Sequence, residues 1–220
     1  MVQCKNLTKK YGSKVALRDA TLHIYPGNIY ALLGPNGSGK TTFMKILGDL
    51  TKQSSGEVLF EGKPLSIQSR KDIAYLPTES QAYPFMTVED YGKYHKSFFP
   101  DFQEEEYKRM LEEMDISLKL PFKALSTGMD KKARIAATLA RNAKLILLDE
   151  PFNGVDLLAR EEIEKMILEK KRENSTILLS SHLVEEFFPW NSLRGCRKIR
   201  GRILQNVTEV FWEKRRRAKC

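Results

Sequence analysis

Two short runs in this chain of 220 residues have the composition to act on a phosphorylated substrate. Residues 34–42 read GPNGSGKTT, a G-x-x-x-x-G-K-[ST] pattern lying between an apolar run and a helix-forming segment. Glycines let such a loop curl until successive backbone N–H groups point inward, and the helix that follows adds its N-terminal dipole, so the pair binds polyphosphate. Gly34, Pro35, Asn36, Gly37, Ser38, Gly39 and Thr42 are therefore candidate nucleotide contacts, Lys40 would reach the β and γ phosphates, and Thr41 would place its hydroxyl on Mg²⁺. In the second run, LILLDEP at 145–151, four apolar residues end in two carboxylates. A buried strand that delivers acids at its C-terminal end puts them where ligands bind in α/β sheets. Asp149 would hold Mg²⁺ through a coordinated water, and Glu150 would polarise the attacking water as general base. Taken alone, Asp-Glu could equally cap the next helix; beside a phosphate loop the catalytic reading carries more weight.

The elements that position these runs can be read from periodicity. TLHIY from Thr21, a turn at Pro26-Gly27-Asn28 and IYALL ending at Gly34 read as strand, turn, strand. A helix over Thr41–Leu50 shows Phe43, Ile46, Leu47 and Leu50 on one face, followed by strands over Glu57–Glu61 and 72–77. Residues 87–120 change character: polar helical segments at Val88–Phe98 and Glu104–Met114 look like a helical insertion. Helix 129–141, strand 145–149, helix 159–172, strand 176–180 and a helix starting near His182 restore the alternation expected of a mostly parallel sheet covered on both faces. The size suits one α/β domain. Its expected parts are a core over 1–84 and 129–186 that includes a small antiparallel β subdomain, a helical subdomain over 85–128, and a basic tail over 187–220.

At this point the chain resembles the ATP-binding subunits of ABC transporters over about residues 1–186. LSTGM at 125–129 resembles the LSGGQ signature, GVD at 154–156 the loop that joins two subunits, and His182 in SSHLVEE the switch histidine. Tyr11, in LTKKYGSKVAL, is similar to the aromatic residue that stacks on adenine. Outside that ordered set a histidine after a strand is usually a cap or surface residue, and an exposed tyrosine needs no ligand. The resemblance implies a P-loop fold, MgATP hydrolysis and a dimer, homo- or heteromeric, in which Ser126 and Gly128 of one copy bind the γ-phosphate held by the other. It also implies that His182 contacts that phosphate and that Asp156 lies at the junction.

The chain departs from the family after the YLP strand, where glutamine is usual and Thr78 stands, followed by Glu79. Either could offer an oxygen to metal or water; PTES at 77–80 is similar to a subset of the family, and the chain as a whole resembles its exporter-like group. The signature's second glycine is Thr127 and its glutamine is Met129.

The net charge of +9 is carried by the tail, where residues 187–220 hold ten Lys or Arg against Glu209 and Glu213, together with both tryptophans and two of the three cysteines. Two readings stay open for it: a basic surface for anionic lipid, or a C-terminus replaced by a change of reading frame.

No apolar run approaches the roughly 18 residues of a membrane span, and no signal pattern opens the chain. Cys4, Cys196 and Cys220 lack disulfide or zinc spacing. The expectation is a cytoplasmic ATPase, peripheral on the inner face of the membrane, that drives separate transmembrane permease subunits. YPFMTVEDY at 83–91 is the candidate contact, the alternative being that Tyr83, Phe85 and Met86 pack internally. The rivals are a non-transport ABC ATPase acting on nucleic acid or ribosomes, which usually carries two such domains or a long coiled coil, and a regulatory ATP-binding module with little turnover.

Overall fold

The computed structural model describes residues 1–169 and 175–182, and the backbone of two strands at 196–199 and 209–213. The helix expected near His182, the Gly201-Arg202-Ile203 turn and the side chains of the basic tail lie outside the described residues.

The first two strands, β1 (Val2–Tyr11) and β2 (Lys14–Ile24), form an antiparallel pair, and β4 (Ser55–Phe60) and β5 (Lys63–Pro64) extend it into a four-stranded sheet in the order β2-β1-β4-β5. The strand-turn-strand run at Thr21–Gly34 is not a hairpin. Pro26 and Gly27 carry the chain from β2 into β3 (Ile29–Leu33), which belongs to a second sheet.

In that sheet β6 (Ile73–Leu76), β7 (Leu145–Leu148), β8 (Thr176–Ser181) and β3 run parallel in the order β6-β7-β8-β3. Next to β3, β10 (Glu209–Glu213) and then β9 (Cys196–Ile199) add antiparallel strands. The segment set apart by its basic composition therefore supplies sheet backbone.

Every residue of β3 and β7 is buried, as a strand covered on both faces must be. Period-two alternation divides their side chains between two cores. Leu145, Leu147 and Leu178 face the antiparallel sheet and helix α1 (Lys40–Leu47), whereas Ile146, Leu148, Ile177 and Leu179 face the remaining helices. Helix α1 ends three residues earlier than expected, at the Gly48 cap, and Leu50 is 59% exposed rather than on the buried face.

The insertion forms helices α2 (Val88–Phe98) and α3 (Glu104–Glu112). A capping box starts α2, with Thr87 Oγ1 accepting from the Asp90 N–H at 3.0 Å. Tyr91, Phe102, Tyr107 and Leu111 of this region share a continuous core with α4 (Thr127–Leu139) and the sheet. A Cβ on Gly92 would lie 2.7 Å from the Tyr107 ring, so the close approach of α2 and α3 requires glycine there. The last described helix, α5 (Leu157–Glu169), packs on α4.

His95 of α2 is partly buried among the rings of Tyr91, Phe99 and Phe102, at centroid distances of 4.6, 5.7 and 5.7 Å. Burial, helped by the charge of Arg141, pulls its pKa down to about 4. The unfolded chain binds this proton first, so the contribution of His95 is complete above the ordinary histidine pKa of about 6.5 and shrinks as the pH falls toward 4. Denaturant unfolding of parent and His95→Phe at pH 7.5 and pH 5 should show the parent losing about 2 kcal/mol more than the variant. Equal losses would show that His95 does not carry this acid sensitivity.

Candidate functional site

At the C-terminal edge of the parallel strands the chain opens into a cavity of about 510 Å³ lined by Asn36, Gly37, Ser38, Gly39, Lys40, Thr41 and Thr42 on one side and by Tyr11, Lys14 and Ala16 on another. Thr78, Glu150, Asn153 and His182 complete the lining. The loop is set by backbone conformation. Gly39 takes φ 99, and a Cβ there would meet the Ala16 carbonyl oxygen at 2.4 Å and the Leu17 side chain at 2.7 Å, so β2 presses directly on the loop and only glycine fits. The Phe43 N–H donates to Gly39 O at 2.8 Å, closing the first turn of α1 behind the loop.

Lys40 is buried, and its ammonium donates to Gly34 O at 2.7 Å and Pro35 O at 3.3 Å. It also pairs with Glu150 Oε1 at 3.2 Å. The other Glu150 oxygen, Oε2, lies 2.9 Å from His182 Nδ1 and accepts from the His182 backbone N–H at 3.3 Å. A carboxylate only accepts, so the ring proton sits on Nδ1 and leaves Nε2 unprotonated in the neutral imidazole. Sequence reasoning thus named three residues, from α1, the end of β7 and the end of β8, that the fold gathers at one carboxylate.

Asp149 has no exposure, and both its oxygens are partnered: Ser180 Oγ donates to Oδ1 at 2.7 Å and Tyr75 OH donates to Oδ2 at 3.3 Å. Burial, followed by the neighbouring Asp149 charge, pushes the Tyr75 phenol well above its ordinary value, so it stays protonated as the donor. At Glu150 the backbone turns to φ 51, a left-handed conformation that costs a non-glycine residue on the order of 1–2 kcal/mol. Its N–H donates to Ser180 Oγ at 2.9 Å and its carbonyl accepts from Lys131 Nζ of α4 at 3.3 Å. Thr78 lines the cavity and donates to Asp149 O at 3.4 Å, whereas Glu79 is exposed outside the lining, with its carbonyl accepting from Arg134 at 3.2 Å.

Ser126, Gly128 and Asp156 do not reach this cavity. Ser126 caps α4, its Oγ accepting from Met129 N–H at 3.2 Å, and Asp156 caps α5 by accepting from Ala159 N–H at 2.9 Å. A Cβ on Gly128 would lie 3.2 Å from Ala159 Cβ and 3.9 Å from Asp156 Oδ2, so the signature loop and the GVD loop form one separate patch.

Sequence reasoning missed Lys14, Ala16 and Asn153 in the lining and Tyr75, Lys131 and Ser180 behind it. The doubled serine before His182 was the available signal for Ser180. Lys131 reads only as one of several helix cations.

The oxygen donors beside the loop suit Mg²⁺, which keeps several waters and phosphate ligands. Among the described residues no group of three or more His, Cys, Asp or Glu gathers into a metal cage. Ser38 Oγ is buried in the loop without a hydrogen-bond partner, an orphan that a ligand oxygen would satisfy.

Residues 17–153 match the family model described as ABC transporter. The lantibiotic transport ATP-binding protein SrtF of Streptococcus pyogenes is 35% identical over 188 residues, covering 84% of this chain and 82% of that protein. A putative ABC transporter ATP-binding protein from Pyrococcus furiosus superposes with TM-score 0.73 at 30% identity, covering 83% of this chain and 91% of its own. The dimeric cassette MJ0796 in a post-hydrolysis state bound to ADP and Pi gives TM-score 0.73 at 25% identity, covering 84% of this chain and 90% of its own. A phosphate-loop cavity closed by a carboxylate and a histidine, on a fold shared with these cassettes, leads to one conclusion: the chain belongs to the ABC transporter family as an ATP-binding subunit, an ATPase that powers transport.

Proposed function

We propose that this subunit hydrolyses MgATP with Glu150 as the base, in a site completed by a second ABC ATPase subunit. The observation that carries the reading is the placement of Glu150 between Lys40 and His182 inside the loop-lined cavity. Lys40, held by two loop carbonyls, meets the β and γ phosphates, and the N–H groups of Asn36 to Thr42 surround them. Tyr11, half exposed at the cavity wall, supplies a face for adenine. Thr41 in the cavity lining and Asp149 buried beneath it are the candidate Mg²⁺ positions, with Thr78 in the lining and hydrogen-bonded to Asp149 O. When bound, the ion neutralises charge on the β and γ phosphates. Glu150 takes up the proton of the attacking water, and His182 contacts the γ-phosphate.

Ser126 at the N-terminus of α4, Gly128 and Asp156 form the face offered to the partner's nucleotide. Their separation from the cavity of their own chain supports this, since a helix N-terminus favours an anion and no phosphate held by Lys40 of the same chain is beside it.

Transmembrane permease subunits are the driven partners, met on the cytoplasmic side of the membrane. Among the described residues no helix is long and apolar enough to cross a membrane. Tyr83 and Phe85 are 67% and 77% exposed, whereas Met86 packs on the core and Tyr91 is buried. The two exposed rings lie beside the loop that carries Thr78, and Arg134 links that loop to α4 through Pro77 O at 3.5 Å and Glu79 O at 3.2 Å. Permease movement therefore has a short route to the signature helix. The relatives named for transport favour this reading over one on nucleic acid.

Lys40→Ala should abolish nucleotide binding measured by fluorescent-ATP titration. Glu150→Gln should bind ATP with the parent's affinity and hydrolyse it roughly 10²-fold more slowly or worse; parent-like turnover would remove Glu150 as the base. The double substitution Tyr83→Ser and Phe85→Ser should shift stability by no more than about 0.5 kcal/mol and leave basal ATPase intact, while ATPase stimulation by the permease is lost. Stimulation equal to the parent's would place the contact elsewhere.

A further inference from the structure

We infer that Ser180 is a positioning residue for hydrolysis: a single buried hydroxyl that orients both carboxylates at the end of β7. The inference rests on the reading of Glu150 as the base. Ser180 lies within β8, two residues before His182, and is fully buried.

Alternation along the paired strands brings Ser180 to this place. Leu147 pairs with Leu178, so the side chains two residues further on, Asp149 and Ser180, lie on the same face of the sheet. The parallel ladder between β7 and β8 ends at Leu148 with Leu179, because Glu150 leaves the extended conformation for φ 51. Its N–H can no longer join the ladder and would be buried without an acceptor. Ser180 Oγ takes that N–H at 2.9 Å and gives its own proton to Asp149 Oδ1 at 2.7 Å. One side chain thereby fixes the backbone that aims Glu150 and the carboxylate rotamer of Asp149.

Lys40 and His182 hold the two oxygens of Glu150, and the peptide fixed by Ser180 sets where the side chain that reaches them begins. Lys131 holds the carbonyl on the far side of the same residue at 3.3 Å. A bond of the Ser180 kind alters the reacting geometry without touching nucleotide. Its loss should appear in kcat and leave KM for ATP alone.

The test compares steady-state ATPase of the full chain carrying Ser180→Ala, Ser180→Thr or Ser180→Cys with the parent and Glu150→Gln. Ser180→Ala should lower kcat by roughly 10- to 100-fold with KM for ATP changed less than about twofold. Ser180→Thr, which keeps the hydroxyl on a strand-compatible side chain, should return kcat to within about threefold of the parent. Ser180→Cys, with its weak donor, should fall between them, and it decides the matter if the alanine variant does not fold. The double variant Ser180→Ala with Glu150→Gln should fall below Glu150→Gln by a much smaller factor than Ser180→Ala falls below the parent, because part of the Ser180 effect passes through Glu150 and only the Asp149 part is left.

Parent-like kcat in folded Ser180→Ala or in Ser180→Cys, beside an inactive Glu150→Gln, overturns the inference and leaves the base assignment standing. A loss confined to KM, or failure of threonine to rescue, overturns it as well. Parent-like turnover in Glu150→Gln removes the base assignment first.

Discussion

The constraint on which this structure depends is the keeping of buried charge at the C-terminal edge of a parallel sheet. Asp149, Glu150 and Lys40 are all buried at the strands' C-terminal edge. An isolated charge there would be expelled or neutralised, so each must be met by a partner of fixed geometry. The ammonium of Lys40 answers one oxygen of Glu150, His182 the other, and Ser180 and Tyr75 the two oxygens of Asp149. The elements that supply those partners, α1, β6, β7 and β8, are tied in register by strand pairing and by two apolar cores, one on each face. Packing leucines on both sides of β7 is therefore what lets two acids appear together at its end.

The same constraint explains why some of the chain was legible in advance and some was not. Strong local signals carried the loop, the LILLDEP strand and most helices, because the glycine requirement, the apolar run and the 3.6-residue period each act over a few residues. Boundaries drifted where local chemistry gave way: α1 stops at Gly48 and not at Leu50, and β7 stops at Leu148 because Glu150 turns left-handed. The turn at Pro26-Gly27 looked the same whether it closed a hairpin or carried the chain between sheets, since only long-range pairing of Ile29 with Ile177 decides that.

The site shows the same division. Most residues that touch the cavity belong to a motif, Lys14, Ala16 and Asn153 excepted, but the hydroxyls of Ser180 and Tyr75 and the ammonium of Lys131 act through registers between strands and helices distant in sequence. Of these, only Ser180 has a local signal, the doubled serine before His182. Glu79, adjacent to Thr78, carries a suitable oxygen in sequence; in the fold it is exposed outside the lining, with its carbonyl engaged by Arg134.

What the cavity lacks within one chain is as informative as what it holds. Loop, base and histidine meet in one place, while the capped N-termini of α4 and α5 meet in another, with Gly128 packed against Ala159 and Asp156. Two such surfaces on one molecule are suited to a twofold pair in which each completes the other. The most direct measurement is light scattering of purified chain whose hydrolysis has been blocked at Glu150, with and without MgATP at micromolar protein. The account predicts the mass of one chain without nucleotide and of two with it. A single-chain mass at saturating MgATP would contradict a pair of identical copies.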